Sequence, residues 1–287
     1  MARIKAPRRK PLAKRSRFPL RPWILKVKKQ ATPALRRQAR ILIDALDSAG
    51  VIDWFARYVE VRYYANKVTV SSDLDRAADK KALKDKAKGI IAKHRLDIDL
   101  TKINADMFEA GSKFAFAKMG FNVAWNMDAP EAKAAVAARD NYIKGAGEAQ
   151  FDKVLDTIRI AIYEQGGGAV TPEVMATIRR ECATAADWQA ERIARTEALA
   201  VSSAGQSLVW HENGVERKEW VWSGVSREEH AAIDGEIVDM DDVFSNGLEY
   251  PGADGPPEEV INCSCSMNPV LAQSLIDDLA AEGVEIG

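Results

Sequence analysis

From about Ala34 to Ala65, apolar residues return every three or four positions, and only a helix turns that period into one buried face. Leu35, Ala39, Leu42, Ile43 and Leu46 form the first stripe, and Val51, Trp54, Phe55, Tyr58 and Val59 the second. The Asp47-Ser48-Ala49-Gly50 punctuation between them predicts a stop and restart. Asp73 to His94 is charged and alanine-rich, which fits a solvated helix or helix pair. Ile103 to Lys118 carries Met107, Phe108, Gly111, Phe114 and Ala115 on one side. Asn126 to Glu131 reads as a turn into a helix through Ala132–Asp140, with Asp128 as cap and Pro130 in the first turn. Phe151 to Glu164 reads as a helix stopped by Gly166-Gly167-Gly168. Thr171-Pro172-Glu173 restarts one with cap, proline and acid in the favoured order. That helix carries Val174, Ile178, Cys182 and Ala185, and a further helix is expected over Trp188 to about Gly205.

After Gly205 the period changes. Glu219 to Trp222 reads as a short strand, Gly235 to Val238 as a turn and second strand, and Val260-Ile261 as a third. Residues 239–258 are rich in Asp, Gly and Pro and predict a long loop. Leu271 to Ala281 reads as a closing helix. The expected class is α+β and predominantly helical: a helical body over 34–205, then a small C-terminal mixed module of short strands over 206–287.

Charge separates the ends of the chain. Before Asp44 there are 15 Lys or Arg and no acid; after residue 200 there are 18 acids against Arg217, Lys218 and Arg227. Residues 1–33 hold Pro7, Pro11, Pro19, Pro22 and Pro33 among those cations, so a basic disordered or extended arm is expected, because proline and like-charge repulsion oppose helix formation. Arg8, Arg9, Lys10, Lys14, Arg15 and Arg17 are its candidate contacts with DNA phosphates or with an acidic face of an assembly partner. No apolar run reaches the ~18–20 residues that span a bilayer. No secretory signal is legible, so synthesis in a cytoplasm is expected. Three cysteines (Cys182, Cys263, Cys265) provide no disulfide framework.

His230, Cys263 and Cys265 are the constellation with metal-ligand chemistry. Imidazole and thiolates suit zinc, with Asp234 or a water as a fourth ligand. The competing reading is a pair of buried thiols beside a hydrogen-bonded histidine. Glu197, on a predicted helix, reads as an ion-pair partner of Arg227 or His230 and not as a catalytic acid, since no second group is placed beside it. Trp220 and Trp222 read as packing residues sooner than as a base-stacking platform.

Several of these segments stand in an order that resembles the phage Mu F-like head morphogenesis family. They are Asn126 to Pro130 with its helix, the glycine break with Thr171-Pro172-Glu173, and Arg192-Ile193-Ala194-Arg195-Thr196-Glu197. Lys218-Glu219-Trp220, Arg227, His230, Asp234-Gly235, Pro251-Gly252 and Asn262-Cys263-Ser264-Cys265 follow. The resemblance spans roughly residues 118–270, with Arg195, Glu197, Trp220, Arg227, His230, Asp234 and Gly235 as its structural motif. Many members carry arginine between the two cysteines, where this chain has Ser264. The resemblance implies a structural minor head protein and not an enzyme. It implies a place in the capsid interior near the portal, with portal and capsid proteins as partners and a part in assembly, DNA packaging or ejection. Two rival readings come from the residues: a zinc-assisted hydrolase or nuclease at the His/Cys cluster, and a nonspecific DNA-binding protein acting through the arm.

Overall fold

Helix α1 (Arg21–Ser48) starts inside the expected arm and runs through Pro33. The structure, a computed structural model, describes residues 17–65, 73–94, 98–119, 130–138 and 140–272. The basic residues Arg8, Arg9, Lys10, Lys14 and Arg15, the Asp128 cap and most of the expected closing helix lie outside the described residues. Residues 21–33 are therefore helical and not extended. Pro22 occupies the first turn, where a helix needs no N–H. Val27, Ala31 and Leu35 are fully buried four residues apart. Burying that stripe offsets the roughly 3 kcal/mol that an interior proline costs.

Gly50, in the left-handed region at φ 65°, ends the first stripe, and α2 (Val51–Val59) follows. A π-helical turn, Glu60–Ala65, continues from it. Then come α3 (Asp73–Ile91), α4 (Thr101–Lys118), α5 (Pro130–Ala138), α6 (Asp140–Gln165) and α7 (Pro172–Glu212). The Thr171 hydroxyl caps α7 by accepting from the Val174 N–H at 3.3 Å. Two helices were expected between 171 and 205; a single one forms and continues to Glu212. Ala186, Ala190, Ala194 and Ala198 are all fully buried along it, so the apolar period never breaks.

The remainder is β1 (Arg217–Val221), α8 (Glu228–Ala232), β2 (Ile237–Asp239), α9 (Pro257–Val260) and β3 (Ser266–Val270). The sheet is antiparallel in the order β2-β1-β3, with Glu219 opposite Ile237 on one side and Trp220 opposite Met267 on the other. The class is α+β and predominantly helical. The third strand is β3, and Val260 ends a helical turn because Pro256 and Pro257 favour a helix start over a ladder.

The chain groups into two compact units, each built from separated segments: Lys29–Ile98 with Asn141–Glu191, and Met1–Lys28, Asp99–Asp140 and Arg192–Gly287. The first is wholly helical among its described residues. Its core joins Leu42, Ile43, Phe55, Leu83, Ile158 and Ile178. Although α3 was expected to be solvated, it buries Asp79, Leu83 and Ala87 completely. The second unit holds the sheet. One cluster there gathers Phe116, Val209, Trp210 and Met267, and another Leu199, Trp220, Phe244, Leu248, Cys263 and Cys265.

Candidate metal centre

The two cysteines reach one side of the small module because Asn262 takes the left-handed conformation at φ 59°, which asparagine tolerates better than other non-glycine residues. That bend turns the chain from α9 toward β3. Alternation along the extended segment then puts Cys263 and Cys265 on the same face. Two anchors hold the bend. The Asn262 N–H donates to Thr196 Oγ1 on α7 at 3.3 Å, and the Arg227 guanidinium donates to the Glu259 and Ile261 carbonyls at 3.1 and 2.6 Å.

Short helix α8 brings His230 over this face. Its Nδ1 lies 3.4 Å from Cys263 Sγ and 3.6 Å from Cys265 Sγ. Its Nε2 donates to the Glu259 carboxylate at 2.7 Å, and in the neutral ring this tautomer puts the lone pair on Nδ1, beside the sulfurs. The Trp220 ring meets the imidazole edge-on at 5.2 Å and Phe244 closes behind it. His230, Cys263 and Cys265 are 0%, 2% and 1% exposed, so no substrate reaches these atoms. A hydrogen bond from Cys263 holds the Cys265 thiol below its ordinary range, and the same bond, with burial, raises Cys263.

The other expected site residues fall into place around this cluster. Asp234 is not a fourth ligand: it is exposed and its Oδ1 accepts from the Trp222 N–H at 2.8 Å, closing the turn that Gly235 makes at φ 80°. Trp220 is fully buried, as packing requires. Glu197 is buried on α7, and a carboxylate that meets His230 is that of Glu259. Sequence gave no reason to single out Glu259, one of two adjacent acids after a proline pair. Arg195 is exposed on α7. Arg17, a candidate arm contact, directs its guanidinium at the Trp222 and Ser223 carbonyls at 2.7 and 2.9 Å, so it anchors to the sheet unit. Leu248 and Pro251, apolar residues of the long acidic loop and natural anchors for a partner, are buried in the protein's own core.

Away from the cluster, a cleft of about 430 Å³ in the other unit is lined by Pro33, Arg36, Arg37, Arg40 and Arg179. Asp187 pairs with Arg36 at 2.5 Å and Asp44 with Arg179 at 3.1 Å, which offsets part of its charge. No helix among the described residues is long and apolar enough to cross a membrane.

A predominantly helical chain with a three-stranded antiparallel sheet and a sealed imidazole–thiol cluster is of the α+β class. Residues 152–268 match the family described as Phage Mu protein F like protein. The matched segment runs from α6 through β3 and contains the whole cluster, and over it the chain is similar to this phage family. No curated protein and no solved structure matches the chain.

Proposed function

We propose that this protein is a structural minor head protein of a tailed phage. In this reading it resides inside the head near the portal and assists head morphogenesis, DNA packaging or ejection. The observation that carries the reading is the Mu F-like match over residues 152–268. Burial supports it against the enzymatic alternative: a zinc-assisted hydrolase needs an open metal position facing substrate, and every atom of the His/Cys cluster is shut in. The charge separation supports two kinds of partner. The acidic C-terminal end faces portal and capsid proteins, and the basic N-terminus faces packaged DNA.

The test is made on assembled particles with the whole chain, because any cut between Lys29 and Glu191 divides both compact units. Heads are purified and dissociated stepwise, and the protein is expected to leave with the portal and in a small number of copies. Its presence only in unassembled material, or its release with the major shell in stoichiometric amount, would refute the assignment. A second reading, nonspecific DNA binding as the whole function, is favoured by the seven Lys or Arg among residues 1–16 with no acid. It predicts that phage lacking residues 1–16 of this protein behave like phage lacking all of it.

A further inference from the structure

We infer that His230 Nδ1, Cys263 Sγ and Cys265 Sγ bind one zinc ion, which ties α8 to the strand-leading segment as a structural cross-link. These three ligand atoms lie within 4.8 Å of one another, all of them buried. Zinc bonds of ~2.3 Å to sulfur and ~2.05 Å to nitrogen at a tetrahedral angle separate the nitrogen from each sulfur by about 3.6 Å. The observed separations are 3.4 and 3.6 Å. Both nitrogen–sulfur separations therefore match the edges of a tetrahedral zinc site. Ser226 Oγ lies 3.9 Å from Cys263 Sγ, and this hydroxyl or a water would complete four-coordination.

Glu259 is the second observation. Zinc-bound histidines hand their remaining N–H to a carboxylate or carbonyl, which fixes the tautomer and makes the metal-facing nitrogen more basic. Glu259 does this to Nε2 at 2.7 Å, and Arg227 holds the Glu259 backbone in turn. Packed thiols beside a neutral imidazole need neither feature. One N–H to any carbonyl suffices there. The cysteine spacing also suits the site, because the left-handed Asn262 brings both sulfurs to one point without a longer hairpin.

The experiment uses the full-length chain purified without affinity-tag histidines. Metal analysis after gel filtration is expected to give close to one zinc per chain. Cys263→Ser and Cys265→Ser should each lose it, while Cys182→Ser, in the other unit, should keep it. Since a cysteine variant here could also misfold, cobalt exchange into the unmodified protein gives an independent readout. Thiolate-to-cobalt charge transfer in the near ultraviolet and intense tetrahedral bands in the visible are expected. Glu259→Gln should keep those bands and weaken zinc affinity about 10–100-fold, as loss of an outer partner does. Folded protein that is metal-free, takes up cobalt without a charge-transfer band and melts unchanged in chelator would overturn the proposal and leave a packed pair of thiols.

Discussion

Gly111 on α4 and Ser202 on α7 cross with no room for a methyl group between them. A Cβ built on Gly111 falls against the Ser202 carbonyl oxygen and 2.9 Å from Ser202 Cα. One turn along, Gly205 meets the Phe108 carbonyl in the same way, and the Ser112 hydroxyl donates to the Phe108 carbonyl at 2.9 Å and reaches the Gly205 carbonyl at 3.3 Å. Both contacts lie within the unit that carries the sheet.

This crossing makes a signed prediction. Gly111→Ala gains up to ~1 kcal/mol of helix propensity but pushes two backbones apart, at an overpacking cost of about 1–3 kcal/mol. It should lower the urea midpoint. Gly89→Ala on α3, where nothing lies within 4 Å, should raise stability by about 0.5–1 kcal/mol. Equal effects of the two substitutions would show that the α4–α7 contact is not tight.

In the helical unit the Asp79 carboxylate is fully buried and receives three tyrosine hydroxyls: Tyr58 at 3.0 Å, Tyr63 at 2.5 Å, and Tyr163. Arg62 pairs with it at 2.9 Å. Asp79→Ala removes the shared acceptor of three hydroxyls and the buried carboxylate that pairs with Arg62, so a loss of about 3–5 kcal/mol is expected in equilibrium unfolding. Burial, then the bond to Asp79, raises the Tyr163 hydroxyl well above its ordinary range, and burial raises Tyr58. Stability from these protonated hydroxyls is complete below about pH 10, where unfolded tyrosine is also neutral. It is lost above that pH as the unfolded chain ionises. Tyrosine absorbance near 295 nm should therefore rise together with unfolding and not ahead of it.

Lys118 carries the opposite dependence. Its Nζ donates to the Met267 carbonyl at 3.1 Å and to Asn268 Oδ1 at 2.5 Å, and burial pushes its pKa down to about 8 against an upward pull from Glu219. The charged form is thus disfavoured by folding. The cost is on the order of 3 kcal/mol below pH 8 and fades as pH rises toward 10.5, since the folded chain gives up its proton first. Wild-type stability should climb between pH 8 and 10, before the tyrosines act. Lys118→Met should be flatter across the same window, and parallel curves would refute the assignment.

Removal of residues 1–16 takes away seven cations and leaves Arg17, the buried Val27 and the whole of α1 in place. Full-length protein should retain duplex DNA at ~50 mM salt and release it steeply toward ~200 mM, and the truncated chain should bind weakly with a shallower slope. An unchanged slope would move the DNA contact to the arginine-lined cleft of the helical unit.

Local chemistry determined much of this protein. Gly166 to Gly168 ends α6, Thr171-Pro172-Glu173 begins α7, Gly50 separates α1 from α2, and the order of the first two strands follows from turn residues and alternation. Each is a decision made within a few neighbouring residues, where capping, backbone freedom and period compete directly. The grouping of His230 with Cys263 and Cys265 was also legible, because few soft ligands exist in the chain. What only the tertiary structure decided depends on burial. Pro33 stays inside a helix because Ala31 and Leu35 beside it are buried, and Val260 leaves the sheet because β1 pairs with Ser266 to Val270 instead. Asp79 and Lys118 look like any solvated charge on a helix until three tyrosines and two neutral oxygens surround them. Glu259 meets His230, since a carboxylate's partner is set by which loop a guanidinium clamps into place. Such choices depend on what lies across the core, and spacing along the chain does not carry that information.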